Sequence, residues 1–97
     1  MRRGRRLLVV GSLAVAAGCA HPLPDPGSPG ARIYEERCGG CHALHEPRSL
    51  TAAMWEIQVR KMRETMRRRG VRPLNDDEEG VLLQYLRAHA TDAGGQS

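Results

Sequence analysis

An all-α domain is the fold class this sequence predicts, on three observations. No run between residues 31 and 90 alternates apolar and polar residues for long enough to make a strand. Three stretches instead carry apolar residues at helical spacing, each bounded by capping or stop residues. The chain has 97 residues with one Trp, two Tyr and no Phe, which limits it to one small domain without a large aromatic core.

The elements follow in chain order. Residues 1–18 read as a signal peptide: a basic start from Met1 to Arg6, then an apolar run from Leu7 to Ala17 broken only by Gly11 and Ser12. That run falls well short of the roughly 20 residues a membrane-crossing helix needs. Its end, Val15-Ala16-Ala17-Gly18-Cys19, resembles the lipobox of bacterial lipoproteins, in which cleavage leaves the Cys as a diacylated N-terminus. The resemblance implies lipidation at Cys19 and an exported chain tethered to a membrane on the periplasmic side of the cell envelope. An ordinary secretory signal cut near Ala17 or Ala20 is the alternative, and it exports the chain as well. Residues 19–30 read as an extended tether, since four prolines and two glycines fall between His21 and Gly30.

The domain proper is expected over residues 31–90, with 91–97 as a flexible tail. Its first helix spans about Gly30 to Gly40, with Ile33, Tyr34 and Cys38 on one side and Glu35 and Glu36 outside. The second starts after Ser49 or Thr51, runs to Arg69 and stops at Gly70. Trp55, Val59, Met62 and Met66 make its inward stripe. The third follows Asn75, which has capping-box spacing to Glu78, and turns Leu82, Tyr85, Leu86 and His89 inward.

Charge excludes one class of partner. The formal net charge of +4 comes from 15 basic against 11 acidic side chains, and Arg2, Arg3, Arg5 and Arg6 all lie in the signal segment. The remainder is balanced, so a generic basic surface for nucleic acid is not expected. Locally, Arg60, Lys61, Arg63, Arg67, Arg68, Arg69 and Arg72 form a basic run relieved only by Glu64. Part of that run complements a helix C-terminus, and Glu56 to Arg60 and Glu64 to Arg68 have the four-residue spacing of ion pairs. The rest suits a docking face for an acidic redox partner or for anionic headgroups.

The chemistry lies in Cys38-Gly39-Gly40-Cys41-His42, the C-x-x-C-H pattern of c-type haem attachment, directly after a helix in an exported chain. Two thiols at this spacing reach two vinyl groups on one haem edge, while the adjacent imidazole reaches the iron. Gly39 and Gly40 contribute no chemistry and are simply permitted. A thioredoxin-like dithiol would need a βαβ pattern, which is missing. A zinc site could draw on Cys38, Cys41 and His45 with a distant ligand such as His89. A disulfide between Cys38 and Cys41 would close only a tiny loop.

Residues 31–90 resemble a small monohaem c-type cytochrome: a helix leading into C-x-x-C-H, a middle helix with Trp and Met, and a last helix reading Leu-Leu-x-Tyr-Leu. The resemblance implies a cytochrome c-like fold of about three helices around one covalent haem c, wrapped by Ile33, Leu44, Trp55, Val59, Leu82 and Leu86. It implies thioether bonds at Cys38 and Cys41 and the proximal iron ligand at His42. A covalent macrocycle would also stabilise a domain of this size, which has few core residues of its own. For the distal iron ligand Met62 ranks first, Met66 second and Met54 third, with His89 as the alternative; His45 is too near His42 and His21 lies in the tether. The resemblance also implies that the Pro47 carbonyl accepts the proximal imidazole N–H, with a simple turn-forming proline as the alternative.

The function expected is single-electron transfer between redox proteins by a membrane-tethered carrier that is not itself an enzyme. The alternatives are a haem subunit of an exported dehydrogenase, a haem-based ligand sensor if the distal position is open, and a zinc-stabilised lipoprotein.

Overall fold

The computed structural model describes residues 22–39 and 44–93, and among them the regular structure is entirely helical. The signal segment, Cys19 and His21 lie outside the described residues, as do Cys41 and His42. Helix α1 (Pro29–Ile33) passes directly into a π-helical turn, Tyr34–Cys38. A 3₁₀ turn at Pro47–Ser49 leads to α2 (Ala52–Arg68), and α3 (Asp76–Ala88) follows. The all-α class expected from the sequence is the class found.

Each helix start has a side-chain cap. Ser28 accepts the Ala31 N–H at 3.2 Å ahead of Pro29, whose fixed φ suits the first helical position. Thr51 accepts the Met54 N–H at 3.1 Å, and the Asp92 carboxylate, from beyond α3, accepts the Ala52 N–H at 3.0 Å. Asn75 and Glu78 form the full reciprocal box, at 2.8 Å and 2.9 Å. Helix α2 ends where the sequence predicts. Gly70 takes φ +74°, Val71 N–H reaches the Met66 carbonyl at 2.9 Å and Gly70 N–H the Arg67 carbonyl at 3.2 Å, the paired bonds of a Schellman stop.

Packing follows from the inward stripes. Trp55, Val59 and Met66 of α2 meet Leu82, Tyr85 and Leu86 of α3, with Ala31, Tyr34 and Cys38 closing the other side. Helix α1 reaches α3 through Gly30: a Cβ there would lie 2.1 Å from Tyr85 Cβ, so only glycine permits the approach. Gly39 is constrained as well. An added Cβ would sit 2.6 Å from the Glu35 carbonyl oxygen, so the residue expected to be merely permitted has a steric reason.

Two expected boundaries differ from the packing. The tether assigned to 19–30 is docked over its later part, because Leu23 packs on the core and the Pro24 carbonyl accepts the Tyr85 hydroxyl at 2.8 Å. Thr91 and Asp92, placed in the tail, anchor α2 through the Leu50 carbonyl and the Ala52 N–H. Proline and glycine content forecasts the absence of regular structure there, but it carries no information about tertiary contact.

Candidate functional site

The π turn, the 44–50 loop, α2 and α3 surround one cavity of about 320 Å³, in the range of small-molecule and cofactor pockets. Cys38 and Tyr34 enter its wall from the π turn, and Leu44 and Leu50 from the loop. Helix α2 adds Trp55, Val59 and Met62, while Leu74, Leu82 and Leu86 form the α3 side. His45, Ser49 and Gln58, all exposed residues, supply the polar part of the lining. A haem requires an apolar wall, a thiol at its edge and a donor from another element. The described residues fit that group: the wall is largely apolar, Cys38 is buried on it, and Met62 comes from a separate helix.

Other sequence candidates separate clearly. Met66, only 3 % exposed, belongs to the core and is not on the wall, and Met54 is 46 % exposed. His89 packs on the Tyr85 ring, centroids 4.9 Å apart, away from the wall that Cys38 and His45 share. The zinc alternative thereby loses His89 as its distant ligand, while Cys41, another of its ligands, lies outside the described residues. Of the six residues expected to wrap the cofactor, Leu44, Trp55, Val59, Leu82 and Leu86 are on the wall. Ile33 packs on the core instead, and its neighbour Tyr34 faces the cavity.

Hydrogen bonding around the cavity was not legible in the sequence. The buried Trp55 indole N–H donates to the Pro47 carbonyl at 2.7 Å, so the oxygen expected to serve the proximal imidazole has a donor from α2. Tyr34 donates its hydroxyl to the His45 carbonyl at 2.6 Å, and burial pushes its pKa well up, so the phenol stays a donor. The available signal was indirect: buried Tyr and Trp almost always place their polar atoms on a partner.

Behind the cavity an ion-pair hub joins three segments. Glu78 receives Arg37, from the π turn, at 3.0 Å and Arg72, from the α2–α3 connection, at 3.3 Å. Arg37 also donates to the Arg72 carbonyl. Hydrogen bonds from Arg72, from the Asn75 N–H and from Arg37 bring the Glu78 carboxyl down to about 2. Arg63 pairs with Glu79 and Asp76, and Arg67 and Arg68 with Glu64. Glu56 pairs with Arg87 of α3 at 3.1 Å rather than with Arg60 as its spacing suggested, since a cross-helix partner was in reach. Arg60, Lys61 and Arg69 are exposed, without an ion pair among the described residues.

Neither a curated protein nor a solved structure matches the chain. A protein family described as dihaem cytochrome c matches residues 34–97. The match supports haem c and electron transfer in general, and it revises the expected family in one respect: the family is dihaem, whereas this sequence holds a single C-x-x-C-H. With the motif, the helical fold and a cavity walled by Cys38 and Met62, the chain belongs to the dihaem cytochrome c family.

Proposed function

We propose that this chain is a membrane-tethered electron carrier of the bacterial cell envelope that holds one haem, and that it is not itself an enzyme. The observation that carries the reading is the shared wall: Cys38 from the π turn and Met62 from α2 line the same apolar cavity. In this reading Cys38 and Cys41 would hold the haem through thioethers, and His42, as proximal ligand, and Met62, as distal ligand, would hold its iron. When bound, the haem supplies one-electron Fe(II)/Fe(III) chemistry. The chain's own residues hold that group in an apolar wall, exclude water from it and set its potential through ligation and burial. The single C-x-x-C-H among three cysteines supports one haem for this chain, against the two of the family. Cys19 carries the lipid, and Arg60, Lys61 and Arg69, exposed and without an ion pair among the described residues, face an acidic redox protein.

A second reading has an observation of its own. One attachment motif in a dihaem family suits a haem subunit docked on another redox chain, such as an exported dehydrogenase. The test is the visible spectrum, oxidised and dithionite-reduced, of protein purified from cells with cytochrome c maturation machinery, after acid–acetone extraction. Sharp reduced bands that survive extraction, at one haem per chain, are expected. Absence of haem overturns the reading, two haems per chain overturns the stoichiometry, and co-purification with a larger redox protein favours the subunit.

A further inference from the structure

Two aromatic side chains on the cavity wall direct their only hydrogen-bond donors at one short loop. Tyr34 Oη donates to the His45 carbonyl at 2.6 Å and Trp55 Nε1 to the Pro47 carbonyl at 2.7 Å. Their rings meet edge to face, centroids 5.8 Å apart and planes at 84°. At the far end of the loop the Leu50 carbonyl accepts the Thr91 N–H at 2.9 Å. The loop is therefore tied to the π turn, to α2 and to the chain beyond α3.

Ordinary core satisfaction explains why a buried phenol finds a carbonyl, but it does not explain which one. The Tyr34–His45 bond closes a ring of chain that contains Cys38, Cys41 and His42. His42 stands three residues before His45, so chain reach alone holds it within ~10 Å of the fixed carbonyl. Cys38, at the other end of that ring, is buried at the close of the π turn. Closing a flexible loop carries an entropy cost, and a tie made by the scaffold meets it before the cofactor enters. The second tyrosine offers an internal contrast. Tyr85 makes a bond of the same kind, 2.8 Å to the Pro24 carbonyl, on chain that holds no part of the motif.

The geometry points to Tyr34 as a positioning residue: by fixing the His45 carbonyl, its hydroxyl anchors the chain just past the C-x-x-C-H motif, with Trp55 bracing the same loop at Pro47, and loss of that anchor would let the axial imidazole plane of the haem-loaded protein turn. The inference rests on the reading that Cys38, Cys41 and His42 hold the haem.

The experiment compares Tyr34→Phe with Tyr85→Phe in the haem-loaded protein. Each loses one hydroxyl and keeps its ring. Haem-to-protein ratio, thermal midpoint, reduction potential and the hyperfine-shifted haem-methyl proton resonances of the ferric form are read. Both variants are expected to bind haem at the wild-type ratio and to lose up to about 4–8 °C of thermal midpoint. Only Tyr34→Phe is expected to change the order or spread of the methyl resonances, which follow the axial imidazole plane, and to move the potential. Wild-type resonances and potential in Tyr34→Phe, with the same loss of midpoint as Tyr85→Phe, would overturn the assignment. If Tyr34→Phe does not accumulate, Trp55→Phe releases the second tie, and unchanged methyl order there overturns it equally. Wild-type protein without covalent haem overturns the underlying reading and this inference with it, and the haem-to-protein ratio tells the two failures apart.

Discussion

Met62 and Met66 stand one turn apart on α2 and meet different surroundings: Met62 lines the cavity with Cys38, whereas Met66 is sealed in the core. Their truncations should separate accordingly. Met62→Ala is expected to remove the weak long-wavelength Met-to-ferric-haem band and to admit carbon monoxide to the reduced protein. Met66→Ala should keep that band and lose about 2–5 kcal/mol on urea unfolding, because it removes only packing. A retained band in Met62→Ala would take the distal role from it. The sequence placed both residues on one stripe and could rank them only by position, because which part of a stripe borders a cavity depends on elements far away in the chain. The expectation for Cys38 has the opposite basis, since it rests on a local five-residue pattern and needs no knowledge of distant elements.

Helix limits were legible wherever their causes are local. The Asn75–Glu78 box, the Thr51 cap and the Gly70 stop each lie within a few residues of the end they define. The Asp92 cap on α2 and the π turn that ends at Cys38 were not legible. The first comes from 40 residues away, and the second widens a helix whose apolar spacing reads the same in either form. Glycines divide in a like manner, and here the structure makes a paired prediction. Gly30→Ala forces a Cβ against Tyr85 where α1 and α3 touch, and should destabilise by about 1–3 kcal/mol. Gly80→Ala, inside α3 with no atom near the new Cβ, should stabilise by about 0.4–1 kcal/mol through helix propensity and unfolded-state entropy. Urea midpoints moving in opposite directions would bear out the packing, and a neutral Gly30→Ala would contradict the close α1–α3 contact. Asn75→Ala should lose about 0.5–2 kcal/mol by the same measurement, because it leaves the Glu78 N–H without its cap.

Across the whole molecule, charge is divided between holding the helices together and facing outward. Glu78 ties the π turn to α3 and to the connection before it, and its folded pKa of about 2 lies below the ordinary value of 4.5. A carboxyl depressed by folding contributes stability that is fully present above its unfolded value and lost as pH falls through the folded one. Unfolding midpoints should therefore fall between about pH 4.5 and 2, and Glu78→Gln should flatten that slope while lowering stability at neutral pH. An unchanged acid slope in the variant would remove Glu78 as its source. The basic run divides along the same line. Arg63, Arg67, Arg68 and Arg72 are engaged in ion pairs, while Arg60, Lys61 and Arg69 remain exposed without one among the described residues. Lys61 stands one turn beyond Ile57, which with Met54 forms an exposed apolar pair beside Gln58 on the cavity lining. If that face steers an acidic redox protein, reduction by a flavodoxin should slow as salt rises toward the ionic strength at which the Debye length reaches ~3 Å. Lys61→Glu should lower the rate at low salt and flatten its salt dependence. Arg67→Glu, at a residue already paired, should do much less, and equal effects from the two would assign the steering to net charge rather than to this face.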